Sequence, residues 1–162
     1  MRRKVRVTFP KYVYEVLQKD KEYLDLKYET LYNLIVEGLG FKQICELGLE
    51  VVDEKKSILF TLNDKNTKLF LEMLKNSSID EENILLKNIF ITYANLHPSI
   101  RQRILYNNLF LQIDQAIYKR KKIKIYYKSK IYELSNIALF RDLDTGYSFL
   151  KGKIITFCLN AH

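Results

Sequence analysis

Two stretches of this sequence carry residue types that engage anions, and neither carries a set that turns a substrate over. Between residues 119 and 130 there are seven Lys or Arg and no acid, with Tyr126 and Tyr127 set among them. Cations at this density track phosphates, and a phenol ring beside them offers a face on which a base stacks. Lysines on a sheet edge also discourage edge pairing, so a solvated edge strand is the plain structural use of the same residues. The second stretch, MRRKVRVTFP, interleaves Arg2, Arg3, Lys4 and Arg6 with Val5, Val7 and Phe9. Strict alternation puts Lys4, Arg6 and Thr8 on one face of a strand and the apolar side chains on the other, which a frayed basic terminus would not do. Catalytic chemistry lacks its carriers. Neither His97, which precedes Pro98 and suits a helix boundary, nor His162 has a nucleophile or carboxylate partner at a useful spacing. Cys45 and Cys158 form no CxxC and read as small apolar groups. No GxxxxGK[ST], GxGxxG, HExxH or GxSxG is present. The acid pairs Asp53/Glu54 and Glu81/Glu82 suit solvent-facing positions, Glu81 at a helix start. The expectation is no enzyme, no metal and no cofactor.

The elements that must hold these residues come from 162 positions, enough for one ordinary domain or two small ones. At 48% apolar and 28% charged the chain can bury a core. Lys and Arg number 27 against 19 acids, a formal +8 that favours a polyanion, nucleic acid ahead of a membrane surface. No apolar run approaches the roughly 18 residues of a spanning helix and no signal-peptide pattern opens the chain. A cytoplasmic protein without a membrane partner is expected.

The N-terminal strand stops at Pro10, and apolar residues then recur at helical spacing: Val13, Val16, Leu17 and Leu24, followed by Leu31, Leu34, Ile35 and Leu39. Two amphipathic helices follow the strand, the second ending near Gly38 and Gly40. Some 40 residues bury too little for a core of their own, so a second copy of the chain is expected to complete one around Val5, Val7, Phe9, Leu31, Leu34 and Ile35. Residues 43–105 read as a linker with helices. Within it fall a helical continuation around Ile44 to Leu49 and a β-like run from Ile58 to Leu62. Asn63 caps a helix carrying Leu69, Phe70, Met73 and Leu74, and Ser78 with Glu81 has capping-box spacing ahead of Ile84 to Tyr93. After His97-Pro98 a further helix runs to about Lys119, with Leu109, Phe110, Ile113, Ala116 and Ile117 on one face. No internal repeat is visible. Beyond Lys121 the period falls to 2: Ile123, Ile125 and Tyr127 alternate with Lys122, Lys124, Tyr126 and Lys128. Short strands follow at Tyr132 to Ser135, Ile137 to Arg141, Tyr147 to Lys151 and Ile154 to Leu159, with turn chemistry at Asp142 to Gly146. The fold class is α+β.

Residues 1–42, with V5-R6-V7-T8-F9-P10, a helix, a break and a second helix holding L31-x-x-L34-I35, resemble the ribbon-helix-helix family. The resemblance implies a homodimer whose paired strands enter the major groove of DNA, with Lys4, Arg6 and Thr8 outward, Arg3 a further nucleic-acid contact and Lys27 to Thr30 near a phosphate. Residues 106–162 resemble a diverged or shortened WYL domain, a small antiparallel SH3-like β-module of bacterial regulators. The resemblance is carried by I113-D-Q-A-I-Y-K-R-K-K-I-K-I-Y-Y-K, by S148-F149-L150-K151-G152 and by T156-F157-C158-L159-N160. The signature Trp-Tyr-Leu falls on Ser148, Phe149 and Leu150. The basic surface of this module comprises Lys119, Arg120, Lys122, Lys124, Tyr126 and Lys128. The leading reading is a dimeric DNA-binding transcriptional regulator. The alternatives are a single-stranded-RNA-binding accessory of a CRISPR RNA-guided nuclease, since type VI accessory proteins with WYL domains look similar, or a protein-binding inhibitor from a mobile element.

Overall fold

The computed structural model describes residues 2–40, 54–76, 81–127 and 130–159, with residues 156–159 through the backbone alone. Helices and two antiparallel sheets make it α+β, as expected. The chain divides into one unit spanning residues 1–105 and a second spanning 106–162. The expected helix at Ile44 to Leu49, Cys45, Ser78 of the capping box, Lys128 and His162 lie outside the described residues.

In the first unit, β1 (Arg3–Pro10) leads into α1 (Lys11–Tyr23) and α2 (Tyr28–Leu39); β2 (Lys55–Leu62) leads into α3 (Asp64–Asn76), α4 (Glu82–Ala94) and α5 (Pro98–Leu105). The alternating apolar residues make β1 a strand, and they are buried as predicted. The partner that covers them differs from the expectation. β1 pairs antiparallel with β2 of the same chain, from Arg3 opposite Leu62 to Pro10 opposite Lys55. Val5, Val7 and Phe9 thus share a face with Phe60, Ile58 and Leu62, and all six are buried. Beneath that face Phe9, Phe60, Tyr32 of α2 and Phe90 of α4 pack with ring centroids 5.1–5.9 Å apart. Leu31 and Ile35 are fully buried and Leu34 is half-buried. The residues expected to form a dimer core therefore form an intrachain core. The argument from small size fails because the segment read as linker supplies a strand and further helices.

The element order β-α-α occurs twice, contrary to the expectation of no repeat. One constant offset takes Val5, Val7 and Phe9 to Ile58, Phe60 and Leu62, and Lys11, first residue of the 13-residue α1, to Asp64, first residue of the 13-residue α3. The same offset takes buried Val13, Leu17 and Asp20 to buried Asn66, Phe70 and Met73. An offset one residue longer takes Leu31, Tyr32, Ile35, Val36 and Leu39 of α2 to Leu85, Leu86, Ile89, Phe90 and Tyr93 of α4, all buried. The repeat escaped the sequence because it is kept in burial and not in residue identity.

Asn63 caps α3 as expected, its Oδ1 accepting from the Asn66 N–H at 2.8 Å. His97 does the same for α5, its Nδ1 lying 3.3 Å from the Ser99 N–H. A buried network ties α1, α4 and α5 together. Asp20, wholly inaccessible, accepts from Arg101 Nε at 2.7 Å, from an Arg101 terminal nitrogen at 2.8 Å and from the Tyr93 hydroxyl at 2.6 Å. Arg101 also donates to the Leu96 carbonyl at 2.6 Å. Such a pair is sustained because both carboxylate oxygens and all three guanidinium nitrogens are hydrogen-bonded.

In the second unit α6 (Asn107–Tyr118) packs on a three-stranded sheet ordered β3 (Ile123–Tyr127), β4 (Lys130–Arg141), β5 (Ser148–Leu159). Ala116, Leu134 and Ile137 form its core, with Ile117, Ile123, Ile125, Tyr132 and Leu150 packed around them. The five short strands expected here are three, two of them long. Register shifts between Glu133 and Leu134 and between Ser135 and Ala138 bend β4 where a break was expected. Asn136, at φ 49°, supplies the left-handed residue of the bend. The Asp142 carboxylate accepts from the Asp144 and Thr145 N–H groups and closes the β4–β5 turn.

Candidate nucleic-acid interface

On the first unit the outward face of the two strands is set by the register. Lys4, Arg6 and Thr8 face out beside Thr61, Leu59 and Ser57 respectively. Lys4 and Arg6 are exposed, and Thr8 Oγ1 lies 2.6 Å from Ser57 Oγ. No residue of either strand is acidic. The neighbouring Glu54 is held below the usual carboxylate range by hydrogen bonds from Lys56 and Lys11, at 2.9 and 3.1 Å. An antiparallel ribbon of this kind, cationic and polar outside and apolar inside, has the width of the DNA major groove. Arg3, expected among the nucleic-acid contacts, lies on the inner side of the register and pairs with Glu82 of α4. The expected phosphate neighbourhood is the start of α2, where Lys27 is the N-cap and no side chain caps the helix.

On the second unit the cations cluster where α6 ends. Lys119 caps it; the Arg120 N–H bonds the Ile117 carbonyl and the Lys121 N–H bonds the Ala116 carbonyl, at 3.0 and 2.8 Å. This is the Schellman pattern, in which the residue at the position of Arg120 adopts a left-handed conformation and is usually Gly. Arg120 does so at φ 51°. Cations at a helix C-terminus also offset its partial negative charge. A cavity of about 290 Å³ is lined by Ile117, Arg120, Lys121, Asn136 and Ile137, and so gathers two cations and, among the described residues of this unit, both non-glycine left-handed ones. Lys122 is exposed just ahead of β3; Lys124 and Tyr126 share the outer face of β3, Tyr126 at 72% exposure, while Ile123 and Ile125 turn inward. Glu133 stands opposite Lys124 on β4 and reduces the charge there.

Two groupings on these surfaces were not read from the sequence, although Phe149 and Lys151 lie within the S148-F149-L150-K151-G152 motif. Ser57, Leu59 and Thr61 complete the ribbon's outer face, and their signal was the Ile58–Phe60–Leu62 alternation. On the second unit Phe140 and Phe149 stack across β4 and β5 at 5.8 Å, with the Lys151 ammonium 5.0 and 5.4 Å from their centroids. Only the cross-strand register brings these three together.

Among the described residues no three His, Cys, Asp or Glu converge as metal ligands, and no helix is long and apolar enough to cross a membrane. No protein-family model matches the chain, and no curated protein matches it. A solved crystal structure of a CRISPR Cas-related protein is similar in fold, with a TM-score of 0.61 at 11% identity. The match covers 93% of this chain and 56% of that one, so this chain spans little more than half the length of its structural neighbour.

Proposed function

We propose that this protein binds nucleic acid and acts by occupancy without turnover, its first unit a ribbon-helix-helix fold closed within one chain and its second a diverged WYL-like module. The observation that carries the reading is the two-stranded ribbon with Lys4 and Arg6 exposed on an acid-free outer face over a core of Val5, Val7 and Phe9. That geometry fits duplex DNA: the cations meet phosphates and base edges while the buried face fixes the ribbon's register. A DNA-binding regulator is the function it supports best.

A second reading has its own support. The similarity to a CRISPR Cas-related protein, together with the exposed run of Lys119 to Lys122, Lys124 and Tyr126, favours an accessory that binds single-stranded RNA through the second unit. Equilibrium binding of labelled duplex DNA and single-stranded RNA to the wild type and to a Lys122→Gln/Lys124→Gln variant separates the two. The regulator reading expects duplex preference that survives the substitutions. The accessory reading expects RNA preference that falls with them. Absence of binding to either nucleic acid contradicts both.

A further inference from the structure

The two β-α-α halves of the first unit bury alike and differ where they face out. The offset that superposes their inner faces takes Lys4 to Ser57, Arg6 to Leu59 and Thr8 to Thr61. It also makes the Arg6–Leu59 pair the centre of the ribbon, since Val5–Phe60 and Val7–Ile58 flank it symmetrically. A dimer of identical chains would place the same residue on both sides of that centre. Here one side offers a guanidinium and the other an isobutyl group half exposed to solvent. The halves differ again at their second helices. The start of α2 carries Lys27 with Glu29 in its first turn, whereas the start of α4 carries Glu81 and Glu82, of which Glu82 is paired with Arg3, so the second start is the more acidic. Both long edges of the ribbon are also met by helix asparagines. Asn83 Oδ1 of α4 lies 3.4 Å from the Thr8 N–H, and Asn33 of α2 donates to the Thr61 carbonyl at 2.9 Å and accepts from the Asn63 N–H at 3.0 Å. A second copy pairing along either edge would have to displace these side-chain contacts.

We infer that the first unit is a fused, functionally asymmetric pseudo-dimer, which reads a DNA site without twofold symmetry: Arg6 takes a guanine edge and Leu59 packs on a thymine methyl group at the centre. The chemistry is that of the major groove, where guanine presents two acceptors to a guanidinium and thymine presents the one methyl group that an aliphatic side chain can cover. This rests on the duplex-DNA reading above and adds the form of the site.

Selection of binding sites from random duplex DNA by the full-length protein tests it. One enriched motif lacking inverted-repeat symmetry is expected, with guanine and thymine at its centre. Replacing that thymine by uracil, which removes only the methyl group, should weaken wild-type binding and leave a Leu59→Ala variant unaffected. Arg6→Ala should erase the guanine preference, a loss of about fivefold or more on the best site. Leu59→Arg should shift the selected motif toward twofold symmetry; thermal melting of each variant checks that it stays folded. An inverted repeat selected by the wild type overturns the inference and leaves the duplex-DNA reading standing. Equal enrichment of all sequences overturns the inference while nonspecific DNA binding persists, and absence of duplex binding overturns both.

Discussion

At the scale of single residues, the strongest commitments are buried. Asp20 sits where apolar Met73 sits in the repeated half, and both of its oxygens accept hydrogen bonds, one from Arg101 and the other from Arg101 and Tyr93. Asp20→Asn leaves the Arg101 charge buried against a neutral partner and is expected to destabilise the first unit by about 3–5 kcal/mol, read as a lower urea midpoint. A change of less than about 1 kcal/mol would mean that water reaches the pair. Tyr28 makes a second prediction. Its hydrogen bond with Tyr14, ahead of burial, pushes its pKa from 10.0 up to about 12. The folded state therefore holds the phenolic proton more tightly than the unfolded chain, so this stability is complete below pH 10 and is lost as pH rises through about 12. In Tyr14→Phe a tyrosine should ionise nearer its ordinary range in an alkaline absorbance titration; an unchanged titration curve would remove the hydrogen bond as the cause. Neither feature was legible in the sequence. Asp20 stands in a polar run, Lys19 to Glu22, and only the approach of α5, 81 positions along, reveals its partner.

Elements were legible in proportion to how local their signals are. The β1 alternation, the Asn63 cap and the change of period after Lys121 each need only a few adjacent residues, and each is where the pattern placed it. β2 was visible as an alternating run, but its partner was not, because pairing across some fifty residues leaves no mark on either strand's own pattern. Strand count in the second unit was overread for a related reason: a bulge and a turn both interrupt period 2. The end of α6 carries an element-scale prediction. Arg120 occupies a left-handed position that costs an L-residue roughly 1–2 kcal/mol and glycine almost nothing. Arg120→Gly should therefore leave the second unit at least as stable in thermal melting, the gain limited by glycine's extra freedom in the unfolded chain. The same change should weaken its affinity for single-stranded nucleic acid if the cation is kept there for binding. Destabilisation with unchanged affinity would assign Arg120 a packing role instead. Gly38 makes the opposite case, since a Cβ there would lie 2.5 Å from Ile104 Cγ2 and 2.7 Å from its carbonyl oxygen. Gly38→Ala should push α2 from α5 at a cost of about 1–3 kcal/mol in chemical unfolding.

For the molecule as a whole, the intrachain ribbon changes what basic charge and small modules imply. A strand and two helices suggested a second chain; two such sets in one chain supply each other's cover. Unfolding of the first unit should accordingly show a midpoint independent of protein concentration over about a hundredfold range, whereas an obligate dimer's midpoint rises with concentration. Val7→Asp should unfold that unit outright, since the carboxylate would replace a fully buried side chain in an intrachain apolar core. Of the excess of 27 cations over 19 acids, six lie in residues 106–162 and two in residues 1–105, so the proposed hold of the ribbon's outer face on duplex DNA rests on where its cations stand and not on the unit's net charge. The most direct test of that hold is the salt dependence of duplex binding for the wild type and for Lys4→Gln/Arg6→Gln, whose side chains are exposed on the outer face. The ribbon account predicts a steep loss of wild-type affinity with salt, and a double variant weakened at least tenfold with a slope shallower by about 0.9 for each phosphate contact removed. Unchanged affinity and slope in the double variant, with duplex binding abolished by Lys122→Gln/Lys124→Gln instead, would contradict it.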